Sequence, residues 1–365
     1  MDNHNYCIIM AGGIGARFWP VSTESKPKQF QKIHGLDKSF LQNTYARMSR
    51  TIPQENIFVA TMAKYRDLVL EQIPGMDESR LIIEPYRRNT AATITYAAFI
   101  LREKDPDAVM IATPSDHSIG ELELFDRTIL EGLDYASRND VLLTLGIVPT
   151  RPDTNYGYVQ VTGGSRAYSA GVPVQAKTFT EKPDIEIARV FVESGEFLWN
   201  SGIFIWKADT VLRELQRFCP EYYLLWKGWE EASVSPGRES FIERAYSDSP
   251  MLSIDYALME KSDKVWVLPA KFPWGDVGSW STMYQYASAG DGNGNALKTA
   301  GPTIAKDVEG TMVYTTDSGK LTVLSGLKDF LVVDTDKALL ICPRDDKKFQ
   351  EIASEIALPE FKEFK

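Results

Sequence analysis

The sequence predicts an α/β protein in which helices cover a mostly parallel, mixed sheet, followed by a small β domain. Two observations support this fold class. Up to residue 148, short apolar runs alternate with longer segments whose apolar residues recur at helical spacing, which is typical of βαβ units. After residue 295, the chain contains short β-like runs and one final helical segment. We therefore predict one domain over residues 1–288 and a second over residues 289–365.

The elements of the first region follow directly from this alternation. Its predicted strands are the buried apolar runs Tyr6–Met10, Ile57–Thr61, Leu81–Ile83, Ala108–Thr113 and Val141–Leu145. Its predicted helices are the amphipathic segments Phe40–Met48, Tyr65–Gln72, Ala91–Leu101 and Leu122–Ala136. Strands that alternate with helices in this way favour parallel pairing.

The spacing becomes less regular over residues 155–285. The strands predicted there are Tyr158–Val161, Lys177–Phe179, Ile203–Trp206 and Val265–Leu268, and the helices are Ile185–Val192, Thr210–Phe218 and Ile254–Lys261. The Gly/Asn-rich residues 289–295 form a predicted turn cluster and mark the domain boundary. The β-like runs of the tail are Thr303–Ala305, Thr311–Thr315, Leu321–Ser325, Phe330–Val333 and Ala338–Cys342, before a helix around Lys347–Ile356.

Charge and composition exclude several classes of partner. Forty Lys and Arg against fifty Asp and Glu give a net charge of −10, and general nucleic-acid binding depends on neutralising phosphates. The apolar runs are shorter than the ~18 residues of a membrane span, and the N-terminus lacks the basic segment of a signal peptide. Cys7, Cys219 and Cys342 are odd in number and far apart, as in reduced proteins. We expect a cytoplasmic protein without nucleic-acid or membrane partners; a homodimer stays open.

A glycine-rich loop follows the first predicted strand. In Ala11-Gly12-Gly13-Ile14-Gly15, three glycines within four positions allow backbone N–H groups to approach an anion. The loop matches neither a Walker motif nor a dinucleotide-binding fingerprint. Taken alone, an ordinary glycine-rich turn explains it equally well.

The residues after this loop favour a phosphate ligand. Residues 1–38 carry five Lys and Arg against three Asp and Glu, in a chain that is otherwise acidic. The run Gly12–Ser22, continued by Pro27-Lys28-Gln29-Phe30, closely resembles the signature of nucleotidyltransferases that make nucleoside-diphosphate sugars. Its Trp19-Pro20 and Pro27–Phe30 details are similar to the mannose-1-phosphate guanylyltransferase branch. The resemblance implies that Arg17 and Lys28 are catalytic, and that Ala11, Gly12, Gly13 and Gly15 bind the nucleotide.

A second block, Glu84-Pro85-Tyr86-Arg87-Arg88-Asn89-Thr90-Ala91, lies between a predicted strand and a predicted helix. An Asn/Thr helix cap is the simplest explanation of its polar residues. The resemblance instead implies that Glu84 binds the guanine edge, and that Asn89 and Thr90 contact the ribose and phosphates. It assigns Ser115 to the nucleotide as well.

Two aspartates form the implied metal site. Asp116 ends a predicted strand in Pro114-Ser115-Asp116-His117, and Asp276 lies in Trp274-Gly275-Asp276-Val277-Gly278. An aspartate in a strand-end turn is usually only a turn residue, and His117 is left as structural. In the family these aspartates hold Mg²⁺, which proteins bind through one or two carboxylates together with substrate phosphates.

Three further blocks mark the sugar-phosphate side: Tyr156-Gly157-Tyr158, Glu181-Lys182-Pro183 and Trp199-Asn200-Ser201-Gly202. Each alone could be a strand-end turn. The resemblance implies that Gly157, Glu181 and Asn200 surround the sugar and that Lys182 binds its phosphate. A fourth block, Ser253–Glu260, places Glu260 near the sugar with less support.

The resemblance covers nearly the whole chain and implies a Rossmann-like, glycosyltransferase-A-like domain followed by a small, left-handed β-helix-like domain. The implied reaction is transfer of GMP from GTP to α-D-mannose 1-phosphate, with Mg²⁺ as cofactor. Two alternatives stay open. One is the same chemistry on glucose, fucose or heptose 1-phosphate, and the other is a catalytically silent regulator that binds sugar nucleotides.

Overall fold

The computed structural model of the protein describes residues 3–32, 37–169, 171–287 and 292–365. The strands are β1 (Asn5–Met10), β2 (Ile57–Met62), β3 (Leu81–Glu84), β4 (Val109–Pro114), β5 (His117–Ile119), β6 (Leu142–Ile147), β7 (Tyr158–Val161), β8 (Val174–Thr180), β9 (Phe197–Lys207), β10 (Val265–Ala270), β11 (Trp274–Asp276), β12 (Ala296–Lys298), β13 (Thr303–Lys306), β14 (Met312–Thr315), β15 (Thr322–Ser325), β16 (Phe330–Asp334) and β17 (Leu339–Pro343). The helices are α1 (Phe40–Met48), α2 (Arg66–Gln72), α3 (Asn89–Lys104), α4 (Leu122–Arg138), α5 (Gly164–Ser169), α6 (Ile185–Ser194), α7 (Ala208–Phe218), α8 (Pro220–Leu225), α9 (Trp229–Ser233), α10 (Arg238–Asp248), α11 (Trp280–Ala287) and α12 (Asp346–Ile356). No helix in these ranges is both long enough and apolar enough to cross a bilayer.

The chain forms two compact units. The first contains Met1–Gly12, Tyr45–Ser115 and Ile119–Trp274, and the second contains Gly13–Thr44, Asp116–Ser118 and Gly275–Lys365. The C-terminal residues therefore group with the segment that follows the first strand. The predicted division at residue 288 stays a prediction, because residues 288–291, with the first part of the predicted turn cluster, lie outside the described residues.

The first unit contains a nine-stranded sheet in the order β3-β2-β1-β4-β9-β6-β10-β8-β7. Strands β3, β2, β1 and β4 pair in parallel, as do β6 and β10. Strand β9 is antiparallel to both β4 and β6, and β8 is antiparallel to β10 and β7. The sheet is thus mixed, as predicted, whereas a predominance of parallel pairs is not confirmed.

Helix α3 packs on this sheet because nearly all of its buried residues are small or apolar. Tyr96 on this helix stacks on Trp226 with ring centroids 4.4 Å apart, and Trp229 and Tyr246 meet Tyr96 edge-on. These three partners come from residues 220–248, where the sequence pattern predicted no element. Their aromatic packing, rather than helical periodicity, holds the short helices α8, α9 and α10 in place.

The second unit is mainly β, as predicted for the tail. Its strands form a four-stranded sheet, β12-β14-β16-β17, and a two-stranded sheet, β13-β15. Strands β12, β14 and β16 pair in parallel and β17 runs antiparallel to β16. The core of this unit also includes Phe18 and Phe40 from the N-terminal segment, with the rings of Phe18 and Trp280 4.7 Å apart. This packing fixes the residues that follow the glycine loop.

Candidate active site

One cluster of the first unit surrounds Glu84, the last residue of β3. Its carboxylate is buried, and Oε1 accepts hydrogen bonds from the hydroxyls of Thr93 (2.5 Å) and Tyr246 (3.1 Å). Burial raises the pKa of Glu84 to about 7, although both hydroxyl donors oppose that rise. A Cβ at Gly12 would lie 2.7 Å from Glu84 Oε2, so a larger residue there would displace the Glu84 carboxylate. The carboxylate therefore lies directly beside the backbone of Gly12.

Asn89 and Thr90 lie at the start of α3 in the same unit. Asn89 has a left-handed backbone (φ 65°), and its Oδ1 accepts a hydrogen bond from the Thr90 N–H at 2.8 Å. The Thr90 hydroxyl accepts from the Ile254 N–H at 2.9 Å. The helix cap itself is Arg88, which makes no side-chain cap hydrogen bond. Thr90 thus joins α3 to the segment before Asp255, and its nucleotide role stays a prediction.

The two other predicted nucleotide residues of this unit lie at strand ends. Ala11 is buried, and its N–H donates to the Ala60 carbonyl oxygen at 2.7 Å. Ser115 is buried directly after β4, and its N–H donates to the Met10 carbonyl oxygen at 3.2 Å. Both residues hold the backbone at the carboxyl ends of β1 and β4, where α/β sheets bind ligands.

The predicted sugar-phosphate residues come together at β7, β8 and β9. The Asn200 N–H donates to the Gly157 carbonyl oxygen at 2.8 Å. Glu181 Oε2 occupies the space that a Cβ at Gly157 would need, which explains the glycine. Glu181 Oε1 pairs with Lys182 Nζ, and Lys182 has a left-handed backbone (φ 46°) that is unfavourable for a non-glycine residue. The fold thus gathers these four residues although the sequence separates them.

The Asn200 side chain has a fixed orientation in this group. Its Oδ1 accepts hydrogen bonds from the Thr144 hydroxyl (2.7 Å) and the Gly202 N–H (3.2 Å). Its Nδ2 donates to Asp255 Oδ1 at 2.9 Å. Asp255 begins a π-helical turn over Asp255–Met259, within the segment predicted as a helix. Asp255 is therefore one acidic side chain beside the predicted sugar residues, and Glu260 is another, because its Oε1 accepts a hydrogen bond from the Glu181 N–H at 2.9 Å.

In the second unit, the Lys28 ammonium is enclosed. Lys28 Nζ lies 2.7 Å from Asp116 Oδ2 and donates a hydrogen bond to the Val277 carbonyl oxygen. The rings of Phe18 and Phe40 have their centroids 5.4 and 5.7 Å from the same nitrogen. Only 4% of the Lys28 side chain is exposed, against 29% of that of Asp116. The predicted catalytic lysine is thus a buried partner of a predicted metal ligand.

The glycine loop supports this lysine. Gly15 has φ 60°, and a Cβ there would lie 2.7 Å from both Lys28 Cβ and Ser22 Oγ. The Ser22 hydroxyl accepts a hydrogen bond from the Lys28 N–H at 2.9 Å. Exposed Gly13 accepts from Gln29 Nε2 at 2.8 Å through its carbonyl oxygen. Glycine at position 15 is therefore required for the close packing of the loop on Lys28.

Three potential metal ligands converge beside this lysine. Asp116, His117 and Asp276 each offer one ligand atom, and all three atoms lie within 4.8 Å of one another. Burial raises the pKa of Asp116, but Lys28 and then His117 outweigh it and hold that pKa below its usual value. Two carboxylates suit Mg²⁺, which completes its coordination with phosphates and water. The structure also places His117 with the two predicted metal aspartates, although the sequence assigned it no role beyond structure.

Arg17 lies on the same side as Asp276. A Cβ at Gly278 would lie 2.9 Å from Asp276 Oδ2 and 3.2 Å from Arg17 Nη2. The guanidinium group and this carboxylate therefore both flank the Gly278 backbone. Arg17 is exposed and, unlike Lys28, is open to a ligand.

Comparison with protein families decides the class of this chain. The model of the family described as nucleotidyl transferase matches residues 6–291. The chain belongs to the nucleotidyl transferase family. The matched residues contain every site residue described above.

Relatives of this nucleotidyl transferase align along almost its whole length. The xanthan biosynthesis protein XanB of Xanthomonas campestris pv. campestris (strain B100) is 36% identical over 96% of this chain and 72% of its own. A mannose-1-phosphate guanylyltransferase of Salmonella montevideo is 35% identical over 94% of this chain and 73% of its own. A crystal structure described as mannose-1-phosphate geranyltransferase from Thermus thermophilus superposes with a TM-score of 0.84 and 28% identity. That likeness covers 97% of this chain and all of the other.

Besides His117, sequence reasoning missed three side chains at the candidate sites of this nucleotidyl transferase. Thr93 and Tyr246 hold Glu84, and Asp255 accepts from Asn200. Tyr246 lies 162 positions from Glu84 and has no local motif, so only the fold could reveal it. Asp255, by contrast, lay inside the recognised block Ser253–Glu260. A carboxylate within a recognised block could have identified Asp255 as a candidate site residue from the sequence.

Proposed function

We propose that the protein transfers GMP from GTP to α-D-mannose 1-phosphate, releasing pyrophosphate and forming GDP-mannose. The observation that carries this proposal is the convergence of Lys28, Asp116 and Asp276 within a nucleotidyl transferase. A protein that only sensed sugar nucleotides would need no buried ammonium beside a paired-carboxylate site. The name of the Salmonella relative supports mannose 1-phosphate as the acceptor.

The proposed chemistry needs no nucleophile or base from the protein. A phosphate monoester with a second pKa near 6 is largely dianionic at pH 7. One of its oxygens attacks the α-phosphorus of GTP in line, forming the new P–O bond as the bond to pyrophosphate breaks. Catalysis then consists of positioning and of stabilising charge on the transferred and leaving phosphates.

The charged residues of the second unit supply that stabilisation. Exposed Arg17 neutralises the charge that develops on pyrophosphate, with the amides of the glycine loop. Lys28 adds positive charge from its buried position and holds the Asp116 carboxylate ionised and oriented. Asp116 and Asp276 are the residues that would hold Mg²⁺, which would neutralise phosphate oxygens when bound.

Each substrate has proposed contacts in the first unit. Glu84 accepts from N1–H and the 2-amino group of guanine, donors that favour its ionised form. Asn89, Thr90 and Ser115 contact the ribose and phosphates.

For the other substrate, Gly157, Glu181 and Asn200 surround the sugar and Lys182 binds its phosphate. Before the ligand arrives, the Glu181 carboxylate pairs with the Lys182 ammonium.

The tail is proposed to be a small, left-handed β-helix-like domain. Parallel pairing of β12 with β14 and of β14 with β16 continues in register, with Met312 opposite both Ala296 and Leu331. Strands β13 and β15 pair in parallel as a second face. Alternating strands stacked in this way are the pattern of successive coils.

The test is pyrophosphate release across a panel of nucleotides and sugar 1-phosphates. We expect the highest kcat/KM with GTP and α-D-mannose 1-phosphate, and GDP-mannose as the product by mass spectrometry. Mannose 1-phosphate should be compared with the glucose, fucose and heptose 1-phosphates, and GTP with UTP, ATP and dTTP. Preference for another sugar 1-phosphate would favour the alternative in which the same chemistry acts on that sugar. No release of pyrophosphate with any pair of substrates would favour a catalytically silent regulator.

A further inference from the structure

Asp255 has no assigned ligand contact, although it lies among several hydrogen-bond acceptors at the predicted sugar site. It is partly exposed, and its Oδ1 is held at 2.9 Å by Asn200 Nδ2. Nearby Glu181 has a buried Oε2 that finds no hydrogen-bond partner among the described residues. Glu260 Oε1 accepts from the Glu181 N–H at 2.9 Å. The carboxylates of Glu181 and Asp255 therefore both act on the Lys182 ammonium, and the Glu260 carboxylate lies beside the Glu181 backbone.

The hydrogen bonds of the Asn200 side-chain amide orient the Asp255 carboxylate. Thr144 and Gly202 donate to its Oδ1, which leaves Nδ2 toward the aspartate. Asn200 therefore presents no free carbonyl oxygen to a ligand, and the acceptor that it positions is the Asp255 carboxylate. The π-helical turn that begins at Asp255 is an uncommon element that is frequent at functional sites.

The electrostatics of this group favour a ligand rich in hydroxyl groups. Burial and then the Glu181 carboxylate raise the pKa of Asp255 to about 7, while Lys182 opposes the rise. Glu181 and Asp255 in turn hold the pKa of Lys182 above its usual value against the effect of burial. Hydroxyl donors would satisfy the spare acceptors without bringing more negative charge. A buried acceptor left without a donor is costly, and this cost favours such a ligand.

We propose that Asp255 is a specificity-determining residue whose carboxylate accepts a hydrogen bond from one ring hydroxyl of the sugar 1-phosphate. Glu181 accepts from another hydroxyl, and Asn200 acts through Asp255. The inference rests on the proposed function, because the ligand is its acceptor substrate. The competing explanation is purely structural, in which Asp255 only anchors the π-helical turn to β9.

Asp255→Asn keeps the shape of the side chain and removes its charge. We expect KM for mannose 1-phosphate to rise about 10- to 100-fold, the scale of losing a hydrogen bond to a charged group. KM for GTP should stay within about twofold. The matched control is Asp263→Asn, an exposed carboxylate of the same unit paired with Arg217, which should change neither KM.

Mannose 1-phosphates that lack one hydroxyl each separate a contact from a structural role. In the wild type, one deoxy analogue should lose about 10- to 100-fold in kcat/KM through Asp255. In Asp255→Asn, that same analogue should lose less than about threefold relative to mannose 1-phosphate, because the contact is already gone. If Asp255→Asn does not fold, Asp255→Glu displaces the charged carboxylate by one methylene and should change the penalty of that analogue alone.

The inference is overturned if all deoxy penalties are unchanged in the variant, or if both KM values rise together with a fall in Tm. Failure of the proposed function is distinct, because wild-type protein would then form no GDP-mannose from mannose 1-phosphate. A wild type that is active, with a variant that is indistinguishable from it, would refute the Asp255 role alone.

Discussion

Replacing Lys28 by methionine tests the buried ammonium of the second unit. Methionine keeps most of the aliphatic length, so the packing against Phe18 and Phe40 survives while the charge is removed. Breaking a fully buried pair costs about 3–5 kcal/mol. Because 29% of the Asp116 side chain is exposed, solvent screens its charge, and we expect a loss of about 1–3 kcal/mol in the free energy of unfolding.

The effect on catalysis should exceed the effect on folding. In the proposed mechanism Lys28 contributes positive charge and orients the predicted metal ligand Asp116, so kcat/KM should fall at least ~100-fold, the scale of losing one transition-state donor. Pyrophosphate release measures the activity, and urea unfolding monitored by tryptophan fluorescence measures the stability. Lys26→Met is the control, since Lys26 is exposed two positions earlier and should leave both quantities unchanged.

The pH dependence of the stability difference separates the contribution of the Lys28–Asp116 ion pair from that of side-chain packing. Asp116 has a pKa below its usual value, so its contribution to stability is present above the pKa of the unfolded chain, about 4, and is lost as the pH falls through the folded pKa. The stability difference between wild type and Lys28→Met should therefore be full at pH 7 and shrink in acid. A folded variant that retains half its activity, or a difference independent of pH, would refute this account.

Three further predictions concern the other charged groups. Lys182→Ala should raise KM for mannose 1-phosphate at least about tenfold more than KM for GTP, because it removes a positive charge that contacts only the sugar phosphate. Equal effects on both KM values would mean that Lys182 does not belong to the sugar-phosphate site. Glu84→Gln should be more stable than wild type at pH 8 by on the order of 1–3 kcal/mol, and thermal unfolding should show the gain vanish near pH 4. The reason is that burial makes ionisation of the folded carboxyl costly, so wild type loses stability from the unfolded pKa of about 4 up to the folded pKa of about 7; a gain that persists in acid would contradict it. Asp116→Asn and Asp276→Asn should each abolish turnover while equilibrium dialysis still detects GTP, and loss of GTP binding in both would place these carboxylates in nucleotide binding instead.

The order of strands shows where pattern reading reaches its limit. Hydrophobic runs located β1, β2, β3 and β4 to within a few residues, because burial on both faces leaves a continuous apolar run. Such an apolar run indicates that a strand is buried but does not indicate whether it pairs in parallel or antiparallel. Strand β9 reads like any other core strand, yet it is antiparallel to both of its long neighbours. Its direction depends on long-range packing that no local pattern encodes.

The candidate sites divide in the same way. Asp116 and Asp276 lie 160 positions apart, and only the family resemblance linked them before the fold brought them together. The burial of Lys28 was not foreseen, because a lysine after a glycine loop reads as a surface cation for phosphate. Its enclosure by Phe18 depends on a core that the second unit builds from distant residues.

Local charge, rather than net charge, decides how an acidic chain can hold two anionic substrates. Fields from exposed charges are screened beyond about 8 Å at physiological ionic strength, so a net charge of −10 has little influence inside a site. Within the sites, the predicted catalytic lysine and the predicted phosphate-binding lysine each have a carboxylate partner: Lys28 has Asp116 and Lys182 has Glu181. Each pair is close to neutral until a ligand arrives, and the Lys28 pair avoids burying an isolated ammonium. A phosphate that approaches Lys182 competes with the carboxylates of Glu181 and Asp255 nearby, and the ten excess negative charges of the whole chain have little influence.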